Sequence, residues 1–219
     1  MDPPALPLEF DARGLVPVVV QDHLTGEIRM VAFATDEAVK KTLESGQATF
    51  WSRSRSEVWQ KGLTSGNAIR VLRVLVDCDA DCLVYQGEPS GNSCHTGAPT
   101  CFFREIEGGA LKPYPAQQTL LGALEAVLEA RKGATAAASY TKSLYEGGPA
   151  AIGAKIREEA GELAQAVEGE NDQRVISEAA DTLYHLLVGL RWRAIPFRRV
   201  LAELARRLGK SGHEEKASR

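Results

Sequence analysis

Residues able to do chemistry are concentrated in a few short stretches of this chain. Asp77-Cys78-Asp79-Ala80-Asp81 sets three carboxylates at alternate positions. In an extended segment, alternation turns all three to one side and Cys78 to the other. Such oxygens suit a hard cation such as Mg2+, and a thiolate suits a softer ion such as Zn2+. An acidic turn facing solvent is the alternative. Cys94 and Cys101 follow, in Gly91-Asn92-Ser93-Cys94-His95-Thr96-Gly97-Ala98-Pro99-Thr100-Cys101. All four cysteines fall within 24 residues, a clustering that points to a metal site rather than to a disulfide framework. Three thiolates would leave a fourth zinc position open, as catalytic sites do. The competing reading is a set of small buried cysteines. Cys82 opens the apolar run Cys82-Leu83-Val84-Tyr85 and reads as core. His95 could be a ligand, a proton-transfer group or a hydrogen-bonding loop residue.

Two further stretches carry charge in patterns. Trp51-Ser52-Arg53-Ser54-Arg55, Trp59-Gln60-Lys61-Gly62 and Thr64-Ser65-Gly66-Asn67 mix cations, hydroxyls and glycines. Phosphate binding needs charge, donors and open backbone N–H groups, and an ordinary polar loop is the plainer reading. Glu159-Ala-Gly-Glu162 and Glu178-Ala-Ala-Asp181 are two i,i+3 acidic pairs separated by 15 residues. On a helix each pair projects from one face, and two antiparallel helices could bring four carboxylates to one Mg2+. Lys155, Glu159 and Glu162 border the stripe Ile152, Ile156, Leu163 and Val167. Glu178 and Asp181 lie roughly opposite Ala179, Leu183, Leu186 and Leu190. Helical phase therefore leaves a buried and a solvated role open.

The elements that must position these residues fall into two textures. Residues 1–108 are rich in Val, Thr, Ser and Gly and read as an α+β domain. Val16–Val20 and Ile28–Phe33 flank a hairpin turn. A helix is expected over Asp36–Ser45, with Thr35 as N-cap and Gly46 past its end. Ala48–Ser52, Ile69–Asp77, Cys82–Gln86 and Cys101–Ile106 read as strands. Residues 109–118 hold glycines and prolines and read as a linker. Residues 119–219, dominated by Ala, Leu, Glu and Arg, read as all-α, with helices over Leu120–Arg131, Ala150–Glu168 and Asp172–Arg193. Pro196 then precedes a basic amphipathic helix. Net charge is −3 over 219 residues, against the basic face of a nucleic-acid binder. No run of ~18 apolar residues would cross a membrane, and MDPPALPLEF lacks the form of a secretory leader. A cytoplasmic chain is expected.

The combination of WSRSR, WQKG, TSGN, DCDAD and CHTGAPTCF resembles the phosphoribosyl-AMP cyclohydrolases over about Phe10–Glu105. That resemblance implies zinc at Cys78, Cys94 and Cys101, with Cys78 contributed across a homodimer interface, and Mg2+ at Asp77, Asp79 and Asp81. Ser139-Tyr140-Thr141, Lys142, Lys155, Glu158, Glu159, Glu162, Glu178, Asp181 and Tyr184-His185 look like the all-α phosphoribosyl-ATP pyrophosphohydrolases over about Leu120–Arg207. Together they imply a bifunctional enzyme of histidine biosynthesis. Its C-terminal domain would convert phosphoribosyl-ATP to phosphoribosyl-AMP and pyrophosphate, using Mg2+ at Glu159, Glu162, Glu178 and Asp181 with Glu158 a candidate base. Its N-terminal domain would open the adenine ring of phosphoribosyl-AMP between N1 and C6. There zinc would lower the pKa of a bound water towards ~7 and supply hydroxide. His95 is the candidate proton-transfer group. Arg53, Arg55, Lys61 and Ser65 are candidates for substrate phosphates, Asn67 for a polar contact and Lys155 for substrate in the helical half. A rival of another class is a binding module, with a structural zinc clip and a basic surface of Arg198, Arg199, Arg206, Arg207 and Lys210.

Overall fold

The computed structural model describes residues 6–114, 119–133 and 139–208. The expected linker positions 115–118 and the tail, Lys210 included, lie outside the described residues. The chain forms two compact units, Met1–Thr119 and Leu120–Arg219. The first is β-rich α+β and the second all-helical.

The first unit is built on β1 (Val16–Asp22), whose residues alternate between buried and half-buried along its length. Alternation with period two is what a strand with one core face requires. Val16, Val18 and Val20 are fully buried, each contributing about 1.5–3 kcal/mol of apolar burial. β2 (Ile28–Ala34) pairs antiparallel to β1. α1 (Asp36–Ser45) follows, with Thr35 accepting from the Ala38 N–H and Gly46 closing the helix at φ +67. β3 (Thr49–Ser52), β4 (Glu57–Gln60), β5 (Ile69–Val76) and β6 (Leu83–Pro89) complete a sheet of order β4-β3-β2-β1-β6-β5. β6 lies parallel to β1, with Val18 opposite Leu83. The core beneath the sheet holds Phe50, Tyr85 and Leu83 against Ala38 and Val39 of α1. Phe50 packs on Trp59 at 5.1 Å and on Tyr85 at 5.7 Å between ring centroids.

Two features of this unit differ from the sequence expectation. β4 occupies residues that read as a polar loop; Val58 and Trp59 pack against the core and secure it. The expected linker begins instead as β8 (Ala110–Pro113), paired antiparallel with β7 (Arg104–Glu107) in a separate hairpin.

In the second unit, α2 (Leu120–Ala130) runs into a 3-10 turn over Arg131–Gly133. α3 (Tyr140–Gly169) starts ten residues before the expected helix. Gly148 (φ +66) and Pro149 kink it, and that break hides its first turns in the sequence. α4 (Asp172–Trp192) returns after a two-residue connection, capped by Asn171, and α5 (Phe197–Arg207) closes the unit. Leu128, Leu144, Ile152, Leu187 and Val188 form the core. Val167 and Leu186, expected on apolar stripes, are exposed. Gly189 lets α4 approach α3; a Cβ there would meet Ile152 and Ile156 at 3.4 Å.

Gly62 carries the tightest backbone approach of the first unit: at φ +85, a Cβ would lie 2.2 Å from the Ala68 nitrogen. Gly26 shares the positive φ, at +76, but has open space around it. Gly26→Ala is expected to cost about 1–2 kcal/mol for the left-handed conformation alone. Gly62→Ala is expected to cost clearly more, read as the unfolding midpoint in urea. Equal costs would contradict the close approach.

Candidate functional site

In the first unit the chemistry gathers around a cleft of about 710 Å3. Its walls come from the end of β4, the loop over Lys61–Asn67 and the cysteine loop. Arg55, Lys61, Ser65, Asn67, Cys94, His95 and Cys101 all line it. Gly62 turns the chain so that the buried Lys61 can donate through Nζ to the Asn67 carbonyl at 3.0 Å. Burial pulls the Lys61 ammonium below its ordinary pKa, against the partial opposing pull of Cys101 and Cys94.

The cysteine loop is folded by its own backbone. Cys94 N–H donates to the Ala98 carbonyl and Gly97 N–H to that of Cys94, both at 3.1 Å. Asn92 braces the turn by donating to the Gly97 carbonyl at 2.6 Å. Arg29 on β2 docks the loop on the sheet: Nε donates to Ser93 Oγ and Nη2 to the Gly91 carbonyl, each at 3.3 Å. Cys101 N–H returns to the Arg29 carbonyl at 2.9 Å. Sequence reasoning missed Arg29; its one signal was a lone arginine inside an apolar strand.

Cys94 and Cys101 stand side by side. Burial works to raise the Cys94 thiol, but hydrogen bonds led by the Thr96 hydroxyl, at 3.1 Å, leave it below the ordinary value. Cys101 is pushed up to about 11, first by burial of its thiol and then by its neighbour Cys94. One of the pair thus holds a thiolate more readily than the other. His95 is exposed, with Nδ1 4.0 Å from Cys94 Sγ. Arg55 reaches the cleft while paired with Glu57 at 2.8 Å. Arg53 is not among the lining residues and lies over the Phe33 ring at 4.0 Å.

Cys78 is not brought to this pair. It sits exposed in the turn between β5 and β6, among the three aspartates. That turn is not the extended segment expected. Ala80 adopts φ +64, and Asp77 and Cys82 exchange bonds, N–H to carbonyl at 3.2 Å and N–H to Oδ1 at 3.0 Å. The turn still brings ligand oxygens of Asp77, Asp79 and Asp81 within 4.8 Å of one another. Asp79, foremost, raises the Asp81 carboxyl pKa, the mark of like charges crowded together. Cys82 is half-buried beside them, and burial raises its thiol.

In the second unit, Glu159 of α3 meets Glu178 and Asp181 of α4, with ligand oxygens within 4.8 Å. Glu159 and Glu178 are buried and Asp181 is exposed. Glu178 therefore faces inward rather than along the solvated side that phase had allowed. Arg174 Nη1 holds its Oε1 at 2.6 Å, while Oε2 is buried with no hydrogen-bond partner. Burial raises the Glu178 carboxyl, partly offset by Arg174. Glu162 stands outside the triad, 3.7 Å from Arg174. Lys155 donates to Glu158 at 2.9 Å and Glu159 at 2.8 Å, and both bonds raise its pKa. His185, also buried, links this cluster to the start of α3. Its Nδ1 donates to the Asp181 carbonyl, which can only accept, at 2.9 Å, and its Nε2 lies 3.1 Å from the Tyr140 hydroxyl.

The rival basic surface is partly neutralised within the chain, since Glu203 pairs with Arg206 at 2.6 Å and Arg207 at 2.8 Å. Among the described residues no helix is long and apolar enough to cross a membrane.

Comparison with known proteins agrees with both halves. The phosphoribosyl-AMP cyclohydrolase family model matches residues 30–103, and the phosphoribosyl-ATP pyrophosphohydrolase model matches residues 121–208. The histidine biosynthesis bifunctional protein HisIE of Aquifex aeolicus is 44% identical over 204 residues, covering 92% of this chain and 98% of the relative. Proteins of the same name from Wolinella succinogenes and Photobacterium profundum are 37% and 41% identical. These alignments cover 97% and 90% of this chain, and 96% and 94% of those relatives.

Glu178 yields a test of this geometry. Its folded pKa lies above the unfolded value, so the folded state holds the proton more tightly. Stability on its account falls as pH rises from the ordinary carboxylate value through the folded one. In chelator at neutral pH, Glu178→Gln is expected to melt at a higher temperature than the parent, and added Mg2+ to raise its melting point less. A lower melting point in chelator would contradict the buried, half-satisfied carboxylate.

Proposed function

The chain belongs to the family of bifunctional histidine-biosynthesis enzymes joining a phosphoribosyl-AMP cyclohydrolase to a phosphoribosyl-ATP pyrophosphohydrolase, and we propose that its helical unit acts first and its β-rich unit second. The helical unit adds water across the α–β phosphate bond of phosphoribosyl-ATP; pyrophosphate leaves and phosphoribosyl-AMP remains. Glu159, Glu178 and Asp181 form an all-oxygen set suited to Mg2+, and the unpartnered Glu178 Oε2 is the observation that carries this assignment. Bound there, Mg2+ supplies charge neutralisation at the phosphates and acidifies a water. Arg174 favours the charged form of Glu178 against its burial and fixes one oxygen, and leaves Glu162 close enough to join the set. Lys155 fixes Glu158 and Glu159 rather than standing free for substrate. Glu158, exposed at the rim, is the candidate for taking the proton from water.

The β-rich unit opens the adenine ring of phosphoribosyl-AMP by adding water between N1 and C6. Its cleft, about 710 Å3, is of a size that holds a nucleotide. Cys94 and Cys101 supply two soft ligands for Zn2+ in one wall, and Cys78 of a second copy of the chain would complete the set. Zinc held there would supply Lewis acidity and lower the pKa of a bound water. His95, beside Cys94, is the candidate for moving a proton at the ring nitrogen. Lys61, Arg55 and Ser65 offer charge and donors to the 5′-phosphate, and Asn67 a polar contact. Arg53, stacked on Phe33, would have to swing to join them. Asp77, Asp79 and Asp81 form a second oxygen set for Mg2+ on the turn that carries Cys78.

The separation of the thiols supports a homodimer, because one chain brings only two of the three together. Exposed apolar surface supports it: Val31, Phe102 and Tyr114 border an open groove of about 590 Å3 on the face of the sheet away from α1. A cytoplasmic, reducing setting keeps such thiols available to metal.

Replacing Cys94 by Ala is expected to abolish ring opening and lower bound zinc, while pyrophosphate release and folding persist. Ring opening retained in a protein shown to be zinc-free would contradict the zinc assignment, and unfolding on metal removal would favour the structural clip. Glu162→Gln is expected to slow pyrophosphate release about 100-fold or more at an unchanged melting point. Full release by the folded variant would remove Glu162 from the set.

A further inference from the structure

The helical unit contains a cation that the reaction as described leaves without a task. Arg131 opens the 3-10 turn after α2 and is exposed. Its Nη1 donates to Thr141 Oγ1 at 3.0 Å and to Tyr184 Oη at 3.3 Å. Those two hydroxyls bond each other at 2.6 Å, and Thr141 is fully buried. One nitrogen of the guanidinium is thus pinned. Nε and Nη2 have no partner among the described residues, and no carboxylate there pairs with Arg131.

A guanidinium held on one side by neutral hydroxyls, with its other donors open, is a receptor for a planar pair of anionic oxygens. Its location fits that use. Thr141 and Tyr184 are the chain neighbours of Tyr140 and His185, whose side chains bond at 3.1 Å. His185 Nδ1 in turn lies 3.7 Å from Glu159 Oε1. The open arginine is therefore linked to the carboxylate triad through two layers of side chains, Thr141 with Tyr184 and then Tyr140 with His185.

We infer that Arg131 binds a phosphate group of the nucleotide substrate, with Thr141 and Tyr184 as positioning residues that aim it. This rests on the pyrophosphohydrolase reading of the same unit. Two phosphates have the required chemistry, one in the pyrophosphate end of the triphosphate and one on the phosphoribosyl group. Two probes separate them: inorganic pyrophosphate and ribose 5-phosphate, each titrated with Mg2+ present into the full chain.

Arg131→Gln is expected to weaken one probe at least tenfold and to raise KM for phosphoribosyl-ATP at least tenfold, with Mg2+ affinity unchanged. The probe that weakens names the phosphate. Tyr184→Phe keeps the charge but loosens its aim, and is expected to weaken the same probe about two- to tenfold. Should Arg131→Gln fail to fold, Arg131→Lys takes its place, with weakened binding of one probe expected. Parent protein that binds neither probe, or variants that bind both as the parent does, would overturn the assignment. Failure of the underlying reading looks different: the parent would release no pyrophosphate, whatever Arg131 does to the probes.

Discussion

The helical unit is organised around a carboxylate taken out of water with only half of its oxygens satisfied. Glu178 has Arg174 on Oε1 and nothing on Oε2. A buried carboxylate oxygen left without a partner is destabilising, so a fold that keeps one is expected to gain from it elsewhere. The arrangement around it is coherent with that cost. Arg174 and Lys155 pair with the glutamates and offset the repulsion among the acidic residues. His185 ties α4 to the start of α3 through Tyr140. Gly189 lets the two helices close enough for their carboxylates to meet. A divalent cation bound there, as proposed, would satisfy the remaining oxygen.

The β-rich unit presents the same logic in softer chemistry. Its sheet buries β1 completely on one face, which fixes β2 beside it and gives Arg29 a rigid base. From that base Arg29 holds the loop carrying Cys94 and Cys101 against the Lys61–Asn67 segment. What the single chain does not do is bring Cys78 to the pair; it stays on an exposed turn with three carboxylates. Ligand hardness thus divides between the sites: oxygen sets on α3, α4 and the β5–β6 turn, a thiol pair in the cleft.

Local signals were legible in the sequence, and long-range ones were not. Thr35 and Gly46 bound α1 as read, because caps act within four residues. The hairpin of β1 and β2 was legible from alternation and a short turn. The parallel pairing of β1 with β6 was not, since register between distant strands leaves no local mark. Gly148 and Pro149 disguised the first turns of α3 as a break, although the helix merely kinks there. The acidic pairs were visible as spacing, but burial of Glu178 depends on which neighbour α4 packs against. The two arginines that organise the sites were the least visible: Arg29 reaches Ser93 across 64 positions and Arg131 reaches Tyr184 across 53. The cysteines and aspartates were legible by type; that Cys78 stands apart from Cys94 and Cys101 is a fact of the tertiary fold.

One measurement bears most directly on a chain with two working sites. Purified full-length protein, given phosphoribosyl-ATP with Mg2+ and Zn2+, is followed at once for pyrophosphate release and for the ultraviolet change of adenine ring opening. The account predicts both signals, with ring opening lagging behind pyrophosphate because it consumes the first product. Pyrophosphate without ring opening, from folded and zinc-loaded protein, would contradict the assignment of the cysteine cleft. Absence of both signals would contradict the account as a whole.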